Sequence, residues 1–240
     1  MRTLSHAEFL AMRRFPGLDG LRAIAAVLVI IVHYGGPRWA WLSGWAGVHI
    51  FFVLTGFLIT TLALREEERR GKVSLRSFYI RRVFRIMPVY FVVLGIIVAL
   101  DVLRREPAGN VRALWLYYVT FNNDITGDRG QSIFLYGHSW TLGIEQKFYL
   151  VWPLLAFLIA AMAFGRKIAI ALAGMAAALL LIPVTSGSSV HYFVILVGCL
   201  LALVMHSPKG YAVLRPLTSV PVGLAVVALW VVAHLYIPWG

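Results

Sequence analysis

Residues 17–36 read GLDGLRAIAAVLVIIVHYGG, an apolar run with a cation near its start and a histidine near its end. Wound as a helix, the run places Arg22 and His33 eleven residues apart, which at 100° per residue returns them to within about 20° of one face. At 1.5 Å per residue they stand roughly 16 Å apart along the axis. One stripe of one apolar helix therefore presents a guanidinium and an imidazole to whatever packs against it. Polar side chains inside a membrane span are costly and functional by default. The chemistry is expected on this stripe.

The rest of the chain has the same character. Its 240 residues are 60% hydrophobic and only 13% charged, with a mean hydropathy of +0.82, well outside the soluble globular range. Several apolar runs approach membrane-spanning length, so the expected fold is all-α, a polytopic transmembrane helical bundle. The net charge of +12 invites a nucleic-acid partner, but the basic residues cluster at the ends of apolar runs, as topology signals do. No nucleic acid is expected. The single cysteine, Cys199, lies inside an apolar run, which excludes a disulfide framework and a cysteine metal cluster and makes it a packing residue. Arg2, Arg13 and Arg14 precede the first apolar run in the manner of a signal peptide, but no small-residue cleavage site follows. The run reads as a retained span.

Working outward, about seven spans are expected: 18–36, 44–64, 86–103, 140–164, 168–184, 190–205 and 217–236. Between the second and third lies LREEERRGKVSLRSFYIRRVFR (64–85), with eight basic and three acidic residues. Its second half reads as an amphipathic helix on the membrane surface. VRALWLYYVTF, within the 104–139 loop, is too short to span and reads as interfacial or re-entrant. Arg166 and Lys167 read as a tight turn, and HSPKGYAVLRP (206–216) as a link. Alternating the spans puts sixteen of the 22 Lys and Arg residues on one side, which the positive-inside rule makes cytoplasmic. The N-terminus is then cytoplasmic and the 104–139 loop faces out.

Each charged candidate carries more than one reading. Arg22 either serves the stripe or snorkels to the headgroups. His33 is either a proton carrier near neutral pH or a hydrogen-bonded packing residue. Arg82 and Arg85 share a helix face at i and i+3; their forked donors suit phosphate, and equally suit a positive-inside anchor. Glu145 has three readings: it orients a histidine, pairs with an arginine, or pairs with Lys147. His49, His138 and His191 read as polar lining or interfacial residues.

Four stretches occur in order: FPGLDGLRAIAAVLVIIVHYG (15–35), GVHIFFVLTGFLIT (47–60), FYIRRVFRIMPVY (78–90) and HSWTLGIEQKFYLVWP (138–153). Together they resemble the acyltransferase-3 family of bacterial integral-membrane O-acyltransferases. That family's basic-x10-His motif falls on Arg22 and His33, its Arg-x-x-Arg motif on Arg82 and Arg85, and its Trp-Ser-Leu-x-x-Glu motif on Trp140, Leu142 and Glu145. Thr55 and Thr141 stand where serine is usual, His49 where Asp is frequent, and His191 near where many members carry arginine. The resemblance implies transfer of an acyl group, most often acetyl, from acyl-CoA to a hydroxyl of a carbohydrate or small metabolite. In that chemistry His33 is the general base, Arg22 and Glu145 assist it, and Arg82 and Arg85 bind the donor phosphates. No tightly bound cofactor or metal is implied, and the setting is the lipid bilayer of the bacterial cytoplasmic (inner) membrane. Members commonly have about ten spans, so the resemblance also implies that residues 1–240 form one acyltransferase domain, incomplete at its C-terminus, the front part of a ten-span fold. The rival reading is a transporter or flippase with Arg22 and His33 lining its path.

The charge asymmetry makes a topological prediction. A cysteine placed at Gly127 is expected to react with an impermeant thiol reagent from outside the cell, and one at Ser74 only after permeabilisation. Labelling of Ser74 but not Gly127 in intact cells would invert the topology.

Overall fold

The computed structural model describes residues 4–12, 14–42, 44–103, 111–133, 136–161, 163–185 and 187–236, and among them every regular element is helical. In chain order these are α1 (His6–Ala11), α2 (Pro16–Tyr34), α3 (Gly44–Arg70), α4 (Leu75–Leu103), α5 (Val111–Val119), α6 (Asn123–Asp128), α7 (Trp140–Pro153), α8 (Phe164–Leu180), α9 (Ser189–His206), α10 (Pro208–Leu214) and α11 (Val220–Tyr236). Four stretches are long and apolar enough to cross a membrane: Gly44–Arg70, Leu75–Leu103, Gly137–Ile159 and Ser189–His206. The bent pair Pro208–Leu217 and Val220–Leu229, meeting at 65°, makes a fifth if it counts as one span. The first and fifth expected spans fall on the 19-residue α2 and the 17-residue α8, which are not among these, so the described residues hold four or five candidate spans where about seven were expected. The protein is a polytopic helical membrane protein.

Local chemistry moves several boundaries. The surface helix expected before the third span is not separate: α4 runs unbroken for 29 residues, about 43 Å at 1.5 Å per residue. Ser74 starts it, its hydroxyl accepting the Ser77 N–H at 3.3 Å while its own N–H donates to Glu66 at 3.1 Å. The hydrocarbon core is about 30 Å thick, so the basic first turns of α4 extend beyond it. The link at 206–216 is also helical. Pro208 sits in its first turn and the Ser207 side chain accepts the Gly210 N–H at 3.0 Å, a standard start for a helix.

The contacts divide into two compact units, Met1–Arg65 with Val194–Gly240, and Glu66–Phe193. In the first, α2 meets α3 where Gly47 faces the wholly buried Ala25; a Cβ on Gly47 would lie 2.6 Å from the Ala25 carbonyl oxygen. α3 and α9 approach more closely still. A Cβ on Gly56 would collide with the Ile195 carbonyl, and one on Gly198 with that of Val53. Small residues permit such backbone contact between apolar helices, where packing rather than hydrophobic exclusion drives association. Cys199 lies fully buried at this crossing. The N-terminal arm is folded down rather than loose. A capping box between Ser5 and Glu8 starts α1, Phe9 packs with Phe57, Ala202 and Tyr211, and the Tyr211 hydroxyl donates to the Leu4 carbonyl at 2.9 Å. Arg65, near the end of α3, donates to the carbonyls of Met12 and Phe9.

In the second unit, Tyr90, Leu94 and Ile97 of α4 form a core with Leu114, Tyr118, Phe121, Ile133 and Tyr136. The expected interfacial stretch is thus α5, with one face buried. Phe121 adopts a left-handed φ of 57°, unusual for a bulky residue, and this turn carries the chain from α5 to α6. The turn rests against α7 because position 143 is glycine: a Cβ there would lie 2.6 Å from Asn123 Oδ1 and 2.9 Å from the Phe121 carbonyl oxygen. Pro153 ends the α-helical part of α7, and Leu154–Ile159 continue as a π-helix. Arg166 and Lys167 do not form the expected turn. They lie in the first turn of α8, where Lys167 is fully buried and its ammonium binds both Glu67 oxygens at 3.0 and 2.8 Å.

The glycine crossing is testable. Gly→Ala within a helix normally gains up to about 1 kcal/mol of propensity, but overpacking a tight contact costs about 1–3 kcal/mol, and here the obstacle is backbone. Gly198→Ala is expected to lower the thermal midpoint in detergent. Gly95→Ala, on α4 with open space around it, should leave the midpoint unchanged or raise it; equal effects would contradict the close crossing.

Candidate active site

The candidate residues fall into two groups, one in each unit. Arg22 and His33 ride on α2. Arg22, in the second turn, is half-buried and lies 3.8 Å from Asp19 one turn earlier. That pair is largely solvated and contributes little. His33, in the last turn, is exposed, and its Nδ1 stands 2.8 Å from the Val29 carbonyl oxygen. A carbonyl only accepts, so Nδ1 carries the proton, and in the neutral ring Nε2 is the basic nitrogen. The end of α2 thus sets both the orientation and the tautomer of the imidazole.

Arg82, Glu145 and Tyr149 make the second group, in which α4 and α7 supply the partners. The Arg82 guanidinium lies 3.6 Å from the centre of the Phe78 ring and 5.2 Å from that of Tyr149, and donates to the Phe78 carbonyl at 3.4 Å. Flat stacking on aromatic faces suits a guanidinium and leaves its N–H edge for in-plane donation. The Tyr149 hydroxyl donates to Glu145 Oε2 at 3.0 Å. Arg81 and Arg85 flank Arg82 on the same basic end of α4. Arg85 is exposed one turn further along α4. Tyr149 touches both side chains, its hydroxyl meeting the Glu145 carboxylate and its ring lying beside the Arg82 guanidinium. Lys147 reaches Asp124 instead, 2.5 Å away.

The remaining histidines take less specific places. His49 is half-buried on α3, and His138 is exposed, edge-on to the Tyr136 ring at 5.8 Å. His191 packs 4.7 Å from the Trp140 ring. Among the described residues no group of three or more His, Cys, Asp or Glu side chains converges as a metal site.

Sequence reasoning passed over Tyr149, although Glu145 and Tyr149 stand at i and i+4 on one helical face. It also passed over the phenols of Tyr118, on α5, and Tyr136. The Tyr118 hydroxyl accepts the Ile133 N–H at 3.1 Å, and the Tyr136 hydroxyl donates to the Tyr90 carbonyl at 3.3 Å. Burial raises the Tyr118 phenol above its ordinary range and pushes Tyr136 up to about 12, so both stay protonated near neutral pH. Tyr118 stands one helical turn beyond Leu114 on the buried face of α5, a spacing the sequence does carry, whereas Tyr136 lies in an irregular stretch with no periodic signal.

The fold is thus that of a multi-span helical membrane protein whose apolar helices carry an imidazole in one unit and a guanidinium against aromatic rings in the other. A family model described as an acyltransferase domain matches residues 15–240. The chain belongs to the acyltransferase-3 family. It is similar to the peptidoglycan O-acetyltransferase OatA of Listeria monocytogenes, 33% identical over 214 residues, which cover 79% of this chain and 34% of that protein. The Bacillus subtilis protein named "Putative peptidoglycan O-acetyltransferase YrhL" is 33% identical over 220 residues, 80% of this chain and 33% of its own. A Staphylococcus aureus protein named "Putative O-acetyltransferase" is 35% identical over 162 residues, 64% of this chain and 26% of its own. The chain thus spans about a third or less of the length of these curated relatives. No solved structure gives a significant match.

Proposed function

We propose that this chain transfers an acyl group, acetyl foremost, from a coenzyme A thioester to a hydroxyl of a carbohydrate or small metabolite. The setting is the bacterial cytoplasmic membrane, with the N-terminus cytoplasmic. Family membership supports transfer over mere passage of a substrate, and the names of the Listeria and Bacillus relatives favour a peptidoglycan sugar as acceptor. The observation that carries the reading is the His33 ring, whose Nδ1 donates to the Val29 carbonyl and so makes Nε2 the base.

In this reading His33 Nε2 takes the proton of the acceptor hydroxyl as its oxygen attacks the thioester carbonyl. The tetrahedral adduct collapses, the carbon–sulfur bond breaks, and the imidazolium returns its proton to the departing thiolate. An ester and a free thiol result. Arg22 supplies positive charge to the donor phosphates or to the developing oxyanion. Arg82 and Arg85, on the basic end of α4, hold donor phosphate, and Glu145 acts on Arg82 rather than on Lys147.

Purified protein in lipid nanodiscs, given acetyl-CoA labelled in the acetyl group and a muropeptide or oligosaccharide, is expected to yield labelled ester. Each arginine contact to phosphate contributes about 1.5–3 kcal/mol, so Arg82→Ala and Arg85→Ala should each weaken donor binding tenfold or more. Lysine at either position should rescue only part of this, having no fork. No ester with any hydroxyl acceptor, or donor affinity indifferent to both arginines, would contradict the reading.

A further inference from the structure

The corner between α3 and α4 gathers positive charge that its own carboxylates do not neutralise. α3 ends at Arg70, Gly71 turns the chain with a left-handed φ of 71°, and α4 begins at Leu75. Residues 66–85 hold seven basic side chains and three acidic ones. Of the acids, Glu67 is taken by Lys167. Glu66 is shared three ways: it accepts the Ser74 N–H at 3.1 Å and lies 3.6 Å from Arg70 and 3.7 Å from Arg81. Lys72 and Arg76 are both exposed, and neither pairs with a described carboxylate.

Along α4 from Arg76 the exposed surface turns apolar. Ile80, Val83 and Phe84 follow Arg76 at i+4, i+7 and i+8, within about 100° of arc on one helical face. All three are exposed, Phe84 by 75%. Further along, Tyr90, Leu94 and Ile97 are buried in the core that α4 shares with α5. The first turns of α4 extend beyond a hydrocarbon layer about 30 Å thick, so Arg76 stands outermost of the four and Phe84 nearest the acyl chains. A soluble anion would match only the cations of this surface. A lipid with a negatively charged headgroup matches both halves, at the depths where each half lies. We propose that this corner binds an anionic phospholipid, its headgroup held by Lys72 and Arg76 and its acyl chains covering Ile80, Val83 and Phe84. The site needs no part of the donor assignment made above.

The test is native mass spectrometry of the full chain in detergent, titrated with phosphatidylglycerol or with phosphatidylcholine of the same acyl chains. Wild type is expected to bind phosphatidylglycerol about tenfold or more tighter than phosphatidylcholine. Each surface cation contributes on the order of fivefold to the attraction of anionic lipid, so Lys72→Gln with Arg76→Gln should lower phosphatidylglycerol affinity about tenfold or more. Phosphatidylcholine affinity should hold. Arg14→Gln with Lys209→Gln, two exposed cations of the other unit, should leave both affinities unchanged. Ile80→Ser with Phe84→Ser should weaken both lipids about threefold or more while keeping the preference, and glycerol phosphate, which has no chains, should displace neither. All the exchanges are at exposed positions, so thermal midpoints without added lipid should match wild type. Equal binding of the two lipids by wild type overturns the site. So does unchanged affinity in the Lys72 and Arg76 double variant, or an equal loss in the Arg14 and Lys209 one. Displacement by glycerol phosphate, or indifference to the Ile80 and Phe84 exchange, would make the corner a site for a soluble phosphate and overturn the lipid.

Discussion

A cation carried on an apolar helix bundle must find its neutralisation within the protein, since burying an unpaired charge costs several kcal/mol or more. Three basic side chains solve this in three ways. Lys167 is fully buried against both oxygens of Glu67, with the Phe157 ring 5.3 Å away; its charge is cancelled, and its role is to fasten α8 to the end of α3 within its unit. Arg65 is spent on two main-chain carbonyls of the N-terminal arm and on the rings of Phe9 and Phe15. Arg82 is supported chiefly by aromatic faces. Ring support stabilises a guanidinium without consuming its N–H edge. Of the three, Arg82 is the cation best prepared to meet an anion.

The imidazole follows a related economy. His33 stands in the last turn of α2, where carbonyls beyond the reach of the helical ladder would otherwise face solvent, yet its Nδ1 takes the Val29 carbonyl, four residues back. A histidine fixed by its own backbone needs no carboxylate partner to set its tautomer.

Much of this was legible before any coordinates. Long apolar runs and clustered basic residues are strong, low-resolution signals; they place α2 and α9 to within two residues at each end and give the starts of α3 and α7, but not the ends of those two helices. The Arg22–His33 and Arg82–Arg85 spacings follow from helical periodicity alone. What stayed hidden depends on contacts between distant segments. Arg166 and Lys167 look like a turn because two cations rarely enter a buried helix; only Glu67, a hundred residues earlier, makes Lys167 tolerable there. Gly56 and Gly198 look like ordinary membrane-helix glycines until their carbonyl neighbours are known. SLRSFYIRRVFR continues into α4 as one helix, because helical hydrogen bonding does not stop where composition changes from charged to apolar, and composition alone suggests two elements. Lys147 beside Glu145 in sequence suggested a pair, whereas the α6 turn delivers Asp124 to it.

The account turns on His33 as the base. Its most direct test is the rate of acetyl transfer by folded His33→Ala protein at saturating donor, beside donor affinity measured on the same preparation. The account predicts a rate lower by about two to four orders of magnitude, the usual contribution of general acid–base catalysis, with donor affinity little changed. Near-normal transfer by that variant would contradict it.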